Sequence, residues 1–302
     1  MRCGMFSEES ILIMQDMMRH RLSSLHATGC SLFATIGWPD KKDVLPLVNP
    51  TISVLVVGAS GGLGSAIARR YASPGTYLSL WGRDLKCLET VASLCAAKGA
   101  VTQVRSRDLM DIPAAVAAIV AEDAAMPFDI VVFASGRGDI RAADDSVEQP
   151  ALVAELALVN FAAPAALAAA VARAMAARGR GQIVLIGSAA GFHSLPFATA
   201  YSGTKAGLAR FADALRLAMR SHGVGVTLVS PGFIDTAAGR QVPGPKPMLM
   251  APDAVADRIA RAVNRRQAHL VLPWPFVALR WFDRILPRRL RDRLLVSLAP
   301  PR

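Results

Sequence analysis

Three side chains within the stretch IVLIGSAAGFHSLPFATAYSGTK have the types and spacing that carbonyl chemistry needs: Ser188, Tyr201 and Lys205. Tyr201 and Lys205 are four residues apart in a segment that reads as helix, so both project from one face. A phenol with a pKa of about 10 is a poor proton donor or acceptor near neutrality, and an ammonium beside it favours the phenolate and brings that value toward working pH. Ser188 lies thirteen residues before Tyr201, at the end of an apolar β-like run, where a hydroxyl can reach a substrate carbonyl. A tunable acid, a cation to tune it and a hydroxyl to orient the substrate together describe a carbonyl-reducing centre. The Tyr-x-x-x-Lys pair alone is a weak signal, because such pairs also occur by chance on solvated helix faces. Its meaning depends on the elements around it.

Those elements form a regular series. Apolar strand-like runs lie at 52–57, 76–81, 101–105, 129–133, 182–187, 224–229 and 269–272. Ala-rich helical patterns fill the gaps near 62–72, 84–97, 112–123, 151–177, 199–221 and 253–265. The strands are apolar on consecutive rather than alternating positions, which predicts a parallel sheet covered on both faces. The βαβ rhythm predicts an α/β, doubly wound fold of the Rossmann type, with about seven strands and right-handed crossovers. The catalytic domain spans 51–272, preceded by an N-terminal extension (1–50) that reads either as carrying a short amphipathic helix at 7–25 or as loosely attached, and followed by a C-terminal extension (273–302).

The first strand runs into Val57-Gly58-Ala59-Ser60-Gly61-Gly62-Leu63-Gly64 and then into a helical pattern. Glycines at 58, 62 and 64 allow a tight turn and let backbone N–H groups and a helix N-terminus approach a pyrophosphate. A glycine cluster by itself is an ordinary strand–helix turn. Directly after the first strand of a βα series, it points to a dinucleotide.

With this turn, Ser188 and Tyr201-x-x-x-Lys205, the sequence resembles the classical short-chain dehydrogenase/reductase family over about residues 52–272. The resemblance implies further site positions. Asp108, followed by Leu109, falls where the family has an aspartate near the adenine. Asn160, in Leu-Val-Asn-Phe, falls at the place of the catalytic asparagine, and Pro231-Gly232 with Thr236 matches the segment on the nicotinamide side. One match fails: where the family commonly has Asn-Asn-Ala-Gly after the fourth strand, this chain has Phe133-Ala134-Ser135-Gly136 and keeps only the glycine. The asparagine side-chain bonds are therefore missing. Contact with the cofactor through backbone there is expected to survive, so Ser60, Leu63 and Gly136 join the expected cofactor-binding positions with Gly58, Gly62 and Gly64.

The second strand ends in Trp81-Gly82-Arg83-Asp84. An acid at position 82 would bind both ribose hydroxyls and repel a 2′-phosphate. Glycine stands there, and Arg83 offers a planar cation suited to phosphate, so NADP(H) is favoured over NAD(H). Asp84 reads as a helix N-cap. In the implied mechanism Tyr201 protonates the carbonyl oxygen and Ser188 hydrogen-bonds it. Lys205 binds the nicotinamide ribose and lowers the Tyr201 pKa, and Asn160 holds a water that connects Lys205 to solvent. His193 lies between Ser188 and Tyr201 and reads as a structural or pocket-lining residue rather than a catalytic one. The Gly/Pro-rich stretch 233–252 reads as a mobile lid, and Met248, Leu249 and Met250 make it an apolar one.

Composition bounds the remaining possibilities. The 302 residues, 53% hydrophobic, suffice for one large α/β domain. A net charge of +11 fits a basic tail, a phosphorylated ligand or an anionic surface, but 6% aromatics and no basic, aromatic-interleaved stripe through the body argue against nucleic acid. Cys3, Cys30, Cys87 and Cys95 have no metal-ligand spacing, and free thiols in a cytoplasmic protein are the simplest reading. The low-polarity stretch from Leu156 to Ala172 contains Asn160 and Pro164 and reads as a buried interface helix rather than a membrane span. A homodimer or homotetramer is expected.

After residue 272 the chain places seven Arg against two Asp between 280 and 302, interleaved with Trp281, Phe282, Ile285, Leu286, Leu290, Leu294 and Leu295. This pattern predicts a pair of basic amphipathic helices broken at Pro287, either docked on an anionic membrane at the inner face or packed on protein. The leading expectation is an NADP(H)-dependent reductase or dehydrogenase of a small carbonyl/alcohol substrate, lipophilic or acyl-type. The alternatives are a non-catalytic, NADP-sensing protein docked by its tail, and a reductase of a polar, sugar-derived ketone.

Overall fold

A computed structural model describes residues 51–138, 146–242 and 244–297; the expectations for 1–50 lie outside these residues. Seven strands form one sheet: β1 (Ile52–Val57), β2 (Thr76–Gly82), β3 (Val101–Ser106), β4 (Ile130–Phe133), β5 (Gly181–Ile186), β6 (Val224–Pro231) and β7 (His269–Leu272). Every pairing is parallel, and the order is β3-β2-β1-β4-β5-β6-β7. The order reverses between β1 and β4, which opens a crevice at the carboxyl ends of those strands. The predicted doubly wound fold is the observed one.

Helices cover both faces: α1 (Gly62–Tyr71), α2 (Leu85–Ala96), α3 (Ile112–Ala125), α4 (Pro150–Ala157), α5 (Ala163–Arg178), α6 (Thr199–Met219), α7 (Ala237–Gln241) and α8 (Pro252–Asn264). Successive strand residues face opposite ways, so one run fills two cores. Val54, Val56, Leu78 and Leu80 pack with Ile67 of α1, Leu88 of α2 and Ile259 of α8. Leu55, Val57, Trp81 and Phe133 pack with Ile119 of α3, Leu167 of α5 and Leu208 of α6. Each such side chain contributes about 1.5–3 kcal/mol on burial, which explains the apolar residues on consecutive strand positions.

The helix expected over 151–177 is interrupted. Pro164 has no N–H for the carbonyl of Asn160, and its ring would collide with that carbonyl in α geometry. The chain opens into a π turn at Leu158–Ala162, between α4 and α5, with the Ala163 N–H bonded to Leu158 O. From Pro150 to Arg178 the helical stretch is long and apolar enough to cross a membrane by length and composition. Here its buried face, with Leu156, Asn160, Leu167, Val171 and Met175, packs within the domain.

The C-terminal extension folds as α9 (Phe276–Ile285) and α10 (Arg288–Ser297), separated at Pro287 as expected. One side of α9 packs on the domain. A Cβ on Gly232 would lie 2.9 Å from the Phe276 ring, and Arg280 Nη1 sits 3.2 Å from His269 Nδ1.

Candidate active site

The carboxyl ends of β1 to β6, with the π turn and α6, carry the predicted site residues. Gly58 follows β1 with φ +92°, a conformation that suits glycine, and a Cβ there would lie 2.5 Å from Ser135 N. A Cβ on Gly64 would fall 2.1 Å from Gly58 O, so the first turn of α1 lies directly on the glycine loop. Gly61, the residue before α1, offers no side-chain cap, and no acid stands in the first turn. The N–H groups of Gly62, Leu63 and Gly64 therefore face the crevice without a side-chain acceptor, as an anion site requires.

Thr236 closes against this loop: a Cβ on Gly62 would be 2.7 Å from Thr236 Cγ2. The Thr236 hydroxyl also accepts from Gly239 N–H and caps α7. Ser60 reaches the end of β2, since a Cβ on Gly82 would meet Ser60 Oγ at 2.6 Å. Arg83 follows, exposed, and its guanidinium makes no ion pair among the described residues. Asp84 accepts from Cys87 N–H at 2.9 Å and caps α2, as its position predicts. Asp108 is exposed just past β3 and accepts from Met110 N–H at 3.0 Å, whereas the Leu109 side chain points into the core, leaving only its backbone at the surface of the crevice.

The departure at Phe133-Ala134-Ser135-Gly136 leaves the backbone path intact. Ala134 N–H donates to Val57 O at 2.8 Å, and Ser135 lies against Gly58. Ser135 Oγ is buried with no hydrogen-bond partner. Asn160 holds the segment that follows: its Oδ1 accepts from Arg137 N–H and its Nδ2 donates to Arg137 O, both at 2.8 Å. The sequence predicts a water-holding asparagine. The structure adds a clamp, positioned by the π turn, that uses both ends of the amide and leaves each end capacity for one further bond. A Cβ on Gly136 would lie 3.2 Å from both Asn160 Oδ1 and Lys205 Nζ, so this glycine brings the β4 end against the catalytic lysine.

Ser188, Tyr201 and Lys205 do converge. Ser188 follows β5 and its Oγ accepts from Ala190 N–H at 3.1 Å, capping the short 3-10 turn Ala189–Phe192. The Ser188 side chain acts on the Tyr201 hydroxyl and draws the phenol pKa down. Lys205, one turn along α6, is 4% exposed; its Nζ donates to Ile186 O at 3.0 Å and lies 5.9 Å from the Tyr201 ring centre. Burial pulls the Lys205 pKa down to about 8. Burial also pushes the Tyr201 phenol up, against the opposing effect of Ser188. The sequence predicts a phenol lowered by Lys205; in the chain alone desolvation raises it instead. Tyr201 is thereby kept protonated, as a proton donor must be.

Pro231 ends β6, and Gly232 N–H bonds to Leu272 O at 2.6 Å, which fixes the strand exit. The stretch 233–252 leaves and returns at one place, where Met250 N–H donates to Phe233 O at 3.0 Å and Asp235 N–H to Met250 O at 2.9 Å. Met250 packs on the core, while Met248 and Leu249 are exposed. The His193 ring stands 6.4 Å from Phe192.

Two residues escaped the sequence reading. Glu148, 3% exposed, caps the catalytic helix from a separate loop: it accepts from Thr199 Oγ1 at 2.6 Å and from Ala200 N–H at 3.1 Å. Burial would raise its pKa, but these bonds overcome it and hold the carboxyl below its usual range. Only proximity in space joins Glu148 to α6, so no local pattern marks it. His269 bridges Ser230 Oγ at 2.9 Å and Arg280, with its pKa lowered to about 4 by burial and by Arg280, against Asp213.

Glycine cradle, uncapped helix end and Ser–Tyr–Lys centre face one crevice, and comparisons with known proteins agree. The family model described as short chain dehydrogenase matches residues 53–245. An uncharacterized oxidoreductase of Myxococcus xanthus is 31% identical over 241 residues, covering 80% of this chain and 94% of that protein. The fold superposes on a short-chain dehydrogenase from Sphingobium yanoikuyae in complex with NADPH, with TM-score 0.68 and 27% identity over 83% of this chain and 98% of that one. It also superposes on the bulky-bulky ketone specific alcohol dehydrogenase from Comamonas testosteroni, with TM-score 0.66 and 27% identity over 84% and 97% of the two chains. On its sheet order, its site and these likenesses together, the chain belongs to the short-chain dehydrogenase/reductase family of oxidoreductases.

Proposed function

We propose that this oxidoreductase interconverts a carbonyl and an alcohol with NADP(H), using Tyr201 as general acid/base on a lipophilic or acyl-type substrate. The observation that carries the reading is Tyr201, half-buried and kept protonated beside Ser188, backed by buried Lys205. When bound, the reduced nicotinamide supplies the hydride to the carbonyl carbon. Ser188 and Tyr201 hydrogen-bond the carbonyl oxygen, and the Tyr201 proton passes to it as negative charge develops. Such donors are worth about 10²–10³ in rate each. The tyrosinate left behind is stabilised by the Lys205 ammonium, the dominant form below its pKa of about 8, and is reprotonated from solvent. In the other direction the tyrosinate takes the alcohol proton.

Gly58, Ser60, Gly62, Leu63 and Gly64 would hold the pyrophosphate, Asp108 with the Leu109 backbone the adenine end, and Gly136, Pro231, Gly232 and Thr236 the nicotinamide side. The cradle that a Cβ would fill and the free α1 N-terminus fit such a group. Arg83, exposed beside Gly82, supports a 2′-phosphate, and the Sphingobium yanoikuyae relative was solved with NADPH. Exposed Met248 and Leu249 support an apolar substrate, as does the likeness to an enzyme named for bulky ketones. Exposed Val153, Phe161 and Leu217 on the α4–α6 side support a homodimer or homotetramer.

A screen of aryl ketones, acyl thioesters and sugar ketones with NADPH, read at the nicotinamide absorbance, tests the substrate class. Turnover confined to sugar ketones would overturn it. Arg83→Ala is expected to weaken NADPH binding about 10- to 100-fold, the loss of one charge-assisted phosphate contact, with NADH binding unchanged. Equal losses for both nucleotides would remove Arg83 from the phosphate.

A further inference from the structure

Helix α9 carries two faces with different surroundings. Phe276 and Arg280, four residues apart, turn onto the domain at Gly232 and His269. About 100° around the helix, Val277, Trp281 and Ile285 form a second stripe, and it faces solvent at 43%, 50% and 74% exposure, with Trp274 at 75% just before it. Helix α10 repeats the arrangement: Leu295 is buried, whereas Leu290, Leu294 and Val296 are exposed. Arg289 and Arg293, one turn apart, are exposed beside Leu290 and Leu294. So many exposed large apolar side chains, two tryptophans among them, are not a feature that water accounts for.

We infer that the exposed face of α9 and α10 is a docking surface for an anionic lipid bilayer. Charge selects this occupant. Between residues 280 and 302 seven Arg stand against two Asp, an excess that a second copy of the same face would repel and a bilayer of acidic headgroups would attract. The side-chain types agree, since Trp and Leu or Ile flanked by Arg match the level where acyl chains meet headgroups. The fold keeps the stripe turned outward, because Phe276 and Arg280 anchor the other side of α9. That anchoring also sets α9 against the 3-10 turn that follows Ser188, so a bilayer on its outer face would lie near the crevice. The inference stands independently of the proposed reaction, because binding is read without turnover.

The test is co-sedimentation of the full chain with vesicles of phosphatidylcholine plus phosphatidylglycerol, against vesicles of phosphatidylcholine alone. Binding is expected only to the anionic vesicles, weakening as salt rises. Each Arg near such a surface is worth about fivefold, so the Arg289→Gln/Arg293→Gln pair is expected to bind about 25-fold more weakly. Ile285→Glu is expected to abolish binding, and its 74% exposure leaves the fold unaffected. Unchanged melting temperature and NADPH affinity in both variants would confirm that the domain is intact. Equal sedimentation of wild type and variants would overturn the proposal. So would light scattering that shows a dimer dissociated by Ile285→Glu in a chain that ignores vesicles, since the face would then belong to a second copy.

Discussion

Replacing Glu148 by Ala tests whether the catalytic helix is held from outside. The residue before α6, Ala198, offers no side-chain acceptor, so Glu148 alone supplies carboxylate oxygens to Thr199 Oγ1 and Ala200 N–H. Truncation leaves both donors without that acceptor at a site 3% exposed. A hydrogen bond to a charged group is worth about 1.5–3 kcal/mol and a lost N-cap about 0.5–2 kcal/mol. These contributions overlap, so about 3 kcal/mol is expected. In a domain of this size that lowers Tm by about 6–12 °C. Tyr201 lies in the first turn beyond the cap, so kcat is expected to fall about tenfold or more through misplacement of the acid. The carboxyl is held below its usual range, so its contribution is full above the unfolded value of about 4.3 and is lost as pH falls through the folded one. The gap in Tm between wild type and variant should therefore be flat from about pH 5 upward and close in acid. A variant that melts with wild type and turns over normally would refute the outside cap. A gap that persists undiminished in acid would refute the role of the carboxylate charge.

Asn160→Ala removes both bonds to the Arg137 backbone from a fully buried site. A loss of about 2–4 kcal/mol in chemical denaturation is expected, with a fall in kcat as Gly136 releases from Lys205. Lys205 gives a pH signature of the same sign as Glu148, but in an alkaline window. Its folded pKa, about 8, lies below the ordinary 10.5, so the unfolded chain binds more protons between those values. Stability without nucleotide should therefore rise with pH across that window, by about 3 kcal/mol in all. Lys205→Met should abolish the rise in denaturant titrations and be inactive, and a rise that survives the substitution would assign it to another group.

Most of the fold was legible because its strands are buried on both faces, and a run such as Ser53-Val-Leu-Val-Val has few other uses. The π turn was visible only in outline. Pro164 marks a lost hydrogen bond, but whether a helix kinks, ends or widens there depends on what Asn160 must reach. Ser188, Tyr201, Lys205 and the glycine turn declare themselves because their chemistry is set by local spacing. Glu148 and His269 do not, since each acts on a segment about fifty or forty residues away through tertiary contact. The Tyr201 pKa could not be foreseen in direction, because spacing reveals the neighbouring ammonium but not the desolvation that raises the phenol. The tail was read with two open alternatives; Phe276 and Arg280 meet the domain at Gly232 and His269, whereas Val277 and Ile285 are exposed.

The central claim is that Tyr201 transfers the proton. Its most direct measurement is single-turnover NADPH oxidation by Tyr201→Phe on a ketone that the wild type reduces, with NADPH affinity followed by fluorescence. The variant keeps the ring, the Lys205 neighbour and the fold but loses the hydroxyl on which Ser188 acts. The account predicts unchanged nucleotide affinity and a hydride-transfer rate lower by about 10²–10⁴. Wild-type turnover by a variant that binds NADPH normally would contradict it.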